Sequence, residues 1–220
     1  MNLLDKKLNN IFEEWPLLKH PYGYKLIKYN FDQIKLTNFC LTQEKWNAFF
    51  FTIQQNTQIT NCKLVITIQL LSYLIPSKQK IKQKSIMAKN HCHKASIALS
   101  KNCMIKCVPT SGDITKIRQE ASDKAREMQI SVQFYIIIVG TIRNVSNSCV
   151  TIDDVLYSTE SVLKALDVCF KAFHVLKISY PDASNHLWTF IQKRLYKFCI
   201  QWDTSFSNTT HVLKQLTTNP

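Results

Sequence analysis

Histidine and cysteine residues near the middle of the chain have the side chains that a zinc site needs. His91 and His93 flank Cys92, and Cys103 and Cys107 follow. Zinc takes four nitrogen or sulfur ligands in a tetrahedron, and two close pairs of ligands can build a small site. The spacing of Cys103 and Cys107 would suit one helical turn, but the histidine pair lacks the usual spacing. Two interpretations stay open. Either His91, His93, Cys103 and Cys107 together bind zinc in one site, or they are free imidazoles and thiols on a basic segment.

Lysines surround this segment without acidic residues to balance them. Ten lysines lie between Glu44 and Asp113, with no Asp or Glu among them. The whole chain has 28 Lys and Arg against 15 Asp and Glu, a formal net charge of +13. Such a block suits an anionic partner such as DNA or RNA, while the alternative is a solvated connector. The residues expected to contact phosphates are Lys78, Lys80, Lys82, Lys84 and Lys89.

Residues that could act as general acids or bases lack the arrangement that catalysis needs. Asp153 and Asp154 are adjacent and point apart, so we expect them to form a turn rather than a catalytic pair. His174 falls on the polar face of a predicted helix, where a solvated or hydrogen-bonded role is expected, and His186 sits near the start of the next helix. Only three glycines occur, which excludes glycine-rich phosphate loops. We therefore expect neither enzymatic activity nor a cofactor.

The strand, turn and helix signals are densest in the C-terminal half. Residues 134–139 are apolar throughout and end in β-branched side chains, which predicts a central strand covered on both faces. Gly140 permits a tight turn or a bulge after it. Residues 149–152 and 155–157 predict two further strands, and residues 144–148 a polar loop. Together these segments predict a three-stranded antiparallel meander.

Two amphipathic helices are predicted after the strands. Apolar residues recur at spacings of three and four from Val162 to Leu176, with Ser158 or Thr159 as the cap. The opposite face carries polar side chains, so one face of this helix is expected in a core. The second helix begins after Pro181 and has its own apolar stripe. The polar residues of the first helix are Lys164, Asp167, Lys171 and His174.

The rest of the chain gives weaker signals. Thr42 can cap a helix that buries Trp46, while the state of residues 24–36 stays open. Cys62 to Ile75 reads as a buried helix or strand. Its apolar run from Leu64 to Ile75 is too short to cross a bilayer, so no membrane partner is expected. Asp113 can cap a surface helix that ends near Met128.

These elements predict an α+β protein in three parts. Residues 1–60 form an N-terminal helical region, and residues 61–110 form a basic, poorly structured middle because alternating lysines extend a chain. Residues 111–220 form a C-terminal α+β unit, in which the two amphipathic helices pack on the meander. The start of the sequence lacks the pattern of a signal peptide, so an intracellular location, cytoplasmic or nuclear, is expected.

Several short sequences also resemble a large group of uncharacterised arthropod proteins. These proteins occur in many near-copies, as repetitive or mobile-element-derived reading frames do. The resemblance covers residues 10–55 and 130–202 and leaves residues 62–110 outside. It implies kinship and carries no assigned activity, cofactor or site residue. The matching sequences include Trp15–Lys19, Trp46–Phe50, Tyr135–Gly140, Val155–Ser158, Leu163–Lys171, Tyr180-Pro181 and Leu187–Gln192.

Two functions follow from these patterns. The first is a non-catalytic interaction module with a protein partner, derived from a mobile element. The alternative is a nucleic-acid-binding protein that uses the lysine-rich segment 78–106 for phosphate contacts. The two differ in how strongly salt should weaken binding.

Overall fold

The computed structural model describes residues 10–35, 41–50, 61–77, 80–83, 91–127, 134–200, 206 and 209–210. Besides a 3-10 helix at Pro16–Lys19 and a π-helix at Gln192–Tyr196, these residues form α-helices and strands. The helices are α1 (Tyr24–Lys35), α2 (Gln43–Phe50), α3 (Asn61–Leu74), α4 (Ile97–Asn102), α5 (Asp113–Glu127), α6 (Val162–Val175) and α7 (Asn185–Ile191). The strands are β1 (Lys80–Gln83), β2 (His91–Lys94), β3 (Ile105–Val108), β4 (Tyr135–Thr141), β5 (Asn144–Ile152) and β6 (Val155–Thr159).

The main sheet is mixed and has four strands in the order β3-β4-β5-β6. The α+β class is therefore confirmed, but the three-stranded antiparallel meander was incomplete. β4, β5 and β6 are antiparallel neighbours, whereas β3 pairs with β4 in parallel. A parallel pair needs a crossover connection, and α5 provides it. β3 escaped the sequence analysis because it is only four residues long and contains Lys106.

The turns of the sheet follow local sequence. The register shifts between Val139 and Gly140, so the predicted bulge is confirmed. Gly140 has φ of +108°, and a Cβ there would clash with the main-chain oxygen of Asn144. The turn at Asp153 and Asp154 is also present. The predicted loop at 144–148 was wrong, because β5 already begins at Asn144 and its exposed end tolerates polar side chains.

The central strand β4 is covered on both faces, as its apolar sequence predicted. Ile136 and Ile138 belong to the main core together with residues of α6. Ile137 and Val139 point the other way and pack with Ile114 of α5. Alternate side chains of a strand face opposite sides of a sheet, so continuous apolar character requires a layer on each side.

Helix α6 lies between the sheet and α1, so its polar face is buried as well. Ser161 caps it by accepting a hydrogen bond from the Lys164 N–H, which corrects the predicted caps at Ser158 and Thr159. The side chains of Asp167 and Lys171 are 1% and 0% exposed. The prediction that only one face lies in a core was therefore wrong, because α1 supplies a second layer.

The expectation of a poorly structured middle was also wrong for part of residues 61–110. Helix α3 contributes Leu64, Val65, Ile68 and Leu71 to the main core, and β3 belongs to the main sheet. The undecided segment from residue 62 to residue 75 is therefore helical as far as Leu74. The division of the chain at residues 60 and 110 stays a prediction.

Candidate functional site

The lysines predicted to contact phosphates fall partly on a two-stranded ribbon. Lys80 and Lys82 lie in β1, which pairs antiparallel with β2. Lys80 is opposite Lys94, and Lys82 is opposite Cys92. Opposite positions and alternate positions of a ribbon share a face, so three lysine positions fall on one face. Lys78, Lys84 and Lys89 lie outside the described residues.

The four predicted zinc ligands lie on three different elements. His91 and His93 are in β2, whereas Cys103 follows the end of α4 and Cys107 lies in β3. The two cysteines therefore do not share a helical turn, and that expectation was wrong because the chain turns into a strand between them. Burial raises the pKa of both thiols. Within the described ranges no group of three or more His, Cys, Asp or Glu side chains could hold a metal ion.

His186 is buried without a strong hydrogen-bond partner of its own. Its exposed fraction is 2%, and its ring lies 6.2 Å from the Phe206 ring. Burial lowers the pKa of His186 to about 4, and a weaker hydrogen-bonding interaction with the main chain of Ile75 acts in the opposite direction. A neutral imidazole is therefore part of the packing between α7 and the end of α3.

A buried ionic cluster joins α6 to α1, and the sequence analysis missed it. The Lys171 Nζ lies 3.1 Å from Asp167 Oδ2, one turn away on the same helix, and 3.9 Å from Asp32 Oδ1 on α1. These contacts are ion pairs rather than aligned hydrogen bonds. The ammonium also lies 5.4 Å from the centre of the Phe31 ring, an arrangement that favours a cation. The sequence signal for this cluster was the spacing of four residues between Asp167 and Lys171, which brings the two side chains together on a helix.

The π-helix brings two further polar residues to α6. Tyr196 donates its hydroxyl hydrogen to Asp167 Oδ1 at 2.7 Å, and its ring stacks on Phe170 at 3.8 Å. Gln192 Oε1 accepts a hydrogen bond from the Tyr180 hydroxyl at 2.8 Å. Because Tyr180 has a single hydroxyl hydrogen, its 2.7 Å contact with His174 Nε2 places the donor on the histidine. His174 is therefore half-buried and hydrogen-bonded.

This polar cluster is suited to holding elements together. One oxygen of Asp167 binds Tyr196 and the other faces Lys171. A general base needs an oxygen directed at a substrate proton, and here both oxygens face groups of the chain itself. Breaking such a buried pair by removing one partner is strongly destabilising. The cluster therefore ties α1, α6 and the π-helix to one another.

The feature of α3 that stands apart is a row of exposed apolar side chains. Ile66, Leu70, Tyr73 and Leu74 are 38%, 43%, 58% and 52% exposed. Their spacing of four, three and one places them on one face of the helix. The opposite face, which includes Leu71, lies in the main core. We call these four residues the α3 stripe.

The surroundings of the α3 stripe are polar and basic. Gln69, on the same helix, donates a hydrogen bond to the Cys107 Sγ of β3 at 3.3 Å. The charge of Lys101 on α4 acts on that thiol and favours a lower Cys107 pKa against the larger effect of burial. Lys63 lies half-buried in the first turn of α3.

Comparisons with known proteins give no assignment. No protein-family model, curated protein or solved structure matches the chain. No helix in the described part of the chain is long and apolar enough to cross a membrane. A function can therefore be inferred only from the geometry of the described residues.

Proposed function

We propose that the protein is a non-catalytic interaction module that binds a helix of a partner protein along the α3 stripe. The observation that carries this proposal is the exposure of four large apolar side chains on one face of a helix whose other face is core. Exposed apolar residues are ordinary when scattered, but a contiguous row marks an interaction surface. Kinship with the arthropod group, inferred from residues 10–55 and 130–202, adds no activity to this proposal.

A helix is the partner structure that fits this surface. Positions 66, 70 and 74 are spaced by four and form one row along the helix, and helices pack by placing such rows of side chains into the grooves of a partner helix. An amphipathic helix would cover the α3 stripe with residues spaced at three and four. Tyr73 is well suited to such contacts because it offers apolar area and a polar hydroxyl.

The buried ionic cluster supports a role without catalysis. The cluster places the fully buried Lys171 between Asp167 and Asp32. Its carboxylate oxygens are directed at Lys171 and Tyr196. A cluster of this kind contributes a fixed arrangement of helices rather than a reacting group.

Site-specific crosslinking tests the proposal directly. A photoreactive phenylalanine at position 70 should form a covalent adduct with a defined partner protein in the native cell, identified by mass spectrometry. The matched control places it at Tyr29, which is 62% exposed on α1. Adducts at both positions, or at neither, would contradict the proposal, because binding would then not be specific to the α3 stripe.

A second candidate function is nucleic-acid binding by the β1-β2 ribbon. Lys80 and Lys94 occupy directly paired positions of the two strands, so with Lys82 three lysine positions share one face of the ribbon. A face with three lysine positions suits contact with phosphates. A two-stranded ribbon can also enter the major groove of DNA.

Salt dependence tests this second candidate. Binding to a DNA duplex should weaken steeply between about 50 and 200 mM salt. Replacing Lys80, Lys82 and Lys94 by Gln should reduce the slope by roughly one unit for each phosphate that the variant no longer neutralises. The matched control replaces Lys116 and Lys124 of α5, both exposed. An unchanged slope in the ribbon variant would end the nucleic-acid interpretation.

A further inference from the structure

We propose that the helix bound by the α3 stripe is acidic: an amphipathic helix with Asp or Glu residues beside its apolar face. This inference rests on the proposed function and names the chemistry of the partner. It comes from the two lysines nearest the α3 stripe in the described residues of α3 and α4: Lys63 on α3 itself and Lys101 on α4, which packs against α3. An apolar stripe beside lysines is complementary to an apolar stripe beside carboxylates.

Helices α3 and α4 contribute cations and no anions to the surroundings of the α3 stripe. Helix α3 has Lys63 and no acid, and α4, which packs against it, has Lys101 and no acid. The one carboxylate of α6, Asp167, is buried and faces Lys171. The exposed Glu160 lies just before α6, near the N-terminal end of α3, where the Val162 N–H donates a hydrogen bond to Asn61 Oδ1. Within the described residues from 45 to 112 there is no Asp or Glu at all.

One hydrogen bond joins α3 to β3 beside the α3 stripe. Gln69 stands between Ile66 and Tyr73 on the helix and donates to Cys107. Lys101 acts electrostatically on the same thiol. Lys63, three residues before Ile66, lies on the same side of α3 as the α3 stripe, where a carboxylate on a bound helix can reach it. Because the site is partly removed from water, such a pair is stronger than one between fully exposed charges.

Other occupants fit the surface less well. A second copy of the chain would bring the same lysines against one another, and the resulting repulsion opposes a symmetric dimer. Nucleic acid would meet the lysines but leave Ile66 and Leu70 without an apolar partner. A membrane would need α3 to enter the headgroup region, while Leu64 and Ile68 keep its other face in the core.

Three peptides distinguish these cases when titrated with the full chain by fluorescence anisotropy. Each is a helical peptide of about 18 residues, roughly five turns, with the same leucine face. The residues beside that face are Glu in the first peptide, Gln in the second and Lys in the third. The Glu peptide should bind at least about tenfold more tightly than the Lys peptide at low salt, and the advantage should shrink with added salt.

Variants connect the binding to the named residues. Replacing Leu70 or Tyr73 by Ser should remove binding of the Glu peptide, whereas Tyr29→Ser should leave it unchanged. Replacing Lys63 and Lys101 by Gln should reduce the advantage of the Glu peptide over the Gln peptide while leaving binding of the Gln peptide unaltered. Both lysines are only partly buried, so these variants should fold.

The outcomes separate this inference from the proposed function. Equal binding of all three peptides, with loss in Leu70→Ser, would overturn the acidic partner and leave a helix-binding module. No peptide binding would overturn the acidic partner, and the crosslinking at position 70 would then decide the module on its own. Competition by DNA, or by vesicles of anionic phospholipid, that is lost in the Leu70→Ser variant would also overturn it, because a different polyanion would occupy the α3 stripe.

Discussion

Helices α6 and α3 differ in which of their side chains are buried. Helix α6 has charged residues on one face, yet Asp167 and Lys171 are buried under α1. Helix α3 is apolar nearly throughout, yet Leu70 and Tyr73 are exposed. The polarity of a side chain therefore does not decide where it lies in this protein. Exposure depends on how many layers cover each helix: two for α6 and one for α3.

The buried residues of α6 and the exposed residues of α3 should therefore have different roles. The buried polar residues of α6 contact one another, Asp32 of α1 and Tyr196 of the π-helix, so their role is to fix α1 and the π-helix on the core. The exposed apolar residues of α3 contribute little to that core. Side chains of the first kind should control the stability of folding, and side chains of the second kind should control binding. The following experiments measure this separation.

The largest expected effect comes from removing the buried cation. Lys171→Met should lower the free energy of unfolding by about 3–5 kcal/mol, because it leaves the Asp167 carboxylate buried without its partner. Urea denaturation followed by circular dichroism measures this loss. The control is Lys164→Met, at a half-buried position on the same helix; it should change stability by no more than about 0.5 kcal/mol.

A double variant makes this prediction sharper. Replacing Asp167 by Leu together with Lys171→Met removes both charges, and the double variant should be more stable than Lys171→Met alone. Equal stability of Lys171→Met and the parent protein would contradict the buried position of the cluster.

Burial could be predicted from the sequence where it depends on local residues alone. The strand at 135–139 was predictable because local apolar content alone required cover on both faces. The burial of Lys171 was not, since it depends on Asp32, which is far away in the chain and lies in a segment whose state was undecided. The spacing of the α3 stripe was visible in the sequence, but its exposure depends on the absence of a second layer.

The zinc site stays a prediction, but the helical turn expected for its two cysteines was wrong for a related reason. Cys103 and Cys107 were assigned to one helical turn from their spacing, but the chain turns from α4 into β3 between them. The sequence predicted Lys80 and Lys82 as phosphate contacts but not Lys94. Its pairing with Lys80 depends on the register between the two strands. Pairing between strands is a non-local property, and composition does not encode it.

The second largest effect should be the pH dependence from His186. Its pKa falls from 6.5 in an unfolded chain to about 4 in the folded protein. The stability contributed by the neutral imidazole is present above pH 6.5 and is lost as the pH falls toward 4. Between pH 7 and pH 5 this loss should be about 2 kcal/mol. In His186→Leu, the change in unfolding free energy over that range should be smaller by this amount. An identical pH dependence in both proteins would show that the imidazole is accessible to protons.

A smaller effect should come from the hydroxyl of Tyr196. Tyr196→Phe keeps the ring that stacks on Phe170 but leaves Asp167 Oδ1 without its hydrogen bond. Leaving a buried acceptor unsatisfied costs about 1–2 kcal/mol. The control is Tyr73→Phe, which removes a hydroxyl from an exposed ring and should leave stability unchanged. Thermal and urea denaturation of both variants compare the two hydroxyls, and equal effects would mean that the hydrogen bond to Asp167 contributes nothing.

The smallest effect should occur at Leu70, and its neighbour gives the matched control. Leu70 and Leu71 are consecutive in α3, but they are 43% and 1% exposed. Leu71→Ala should cost about 2–5 kcal/mol because it leaves a cavity in the core. Leu70→Ala removes the same atoms from a partly solvated position, and alanine suits a helix at least as well as leucine, so the cost should stay under about 1 kcal/mol. If both substitutions destabilise the protein equally, α3 is covered on both faces and the α3 stripe is core. If Leu70→Ala folds normally and loses binding of the acidic helix, the residue is kept apolar for its partner, since folding does not require it.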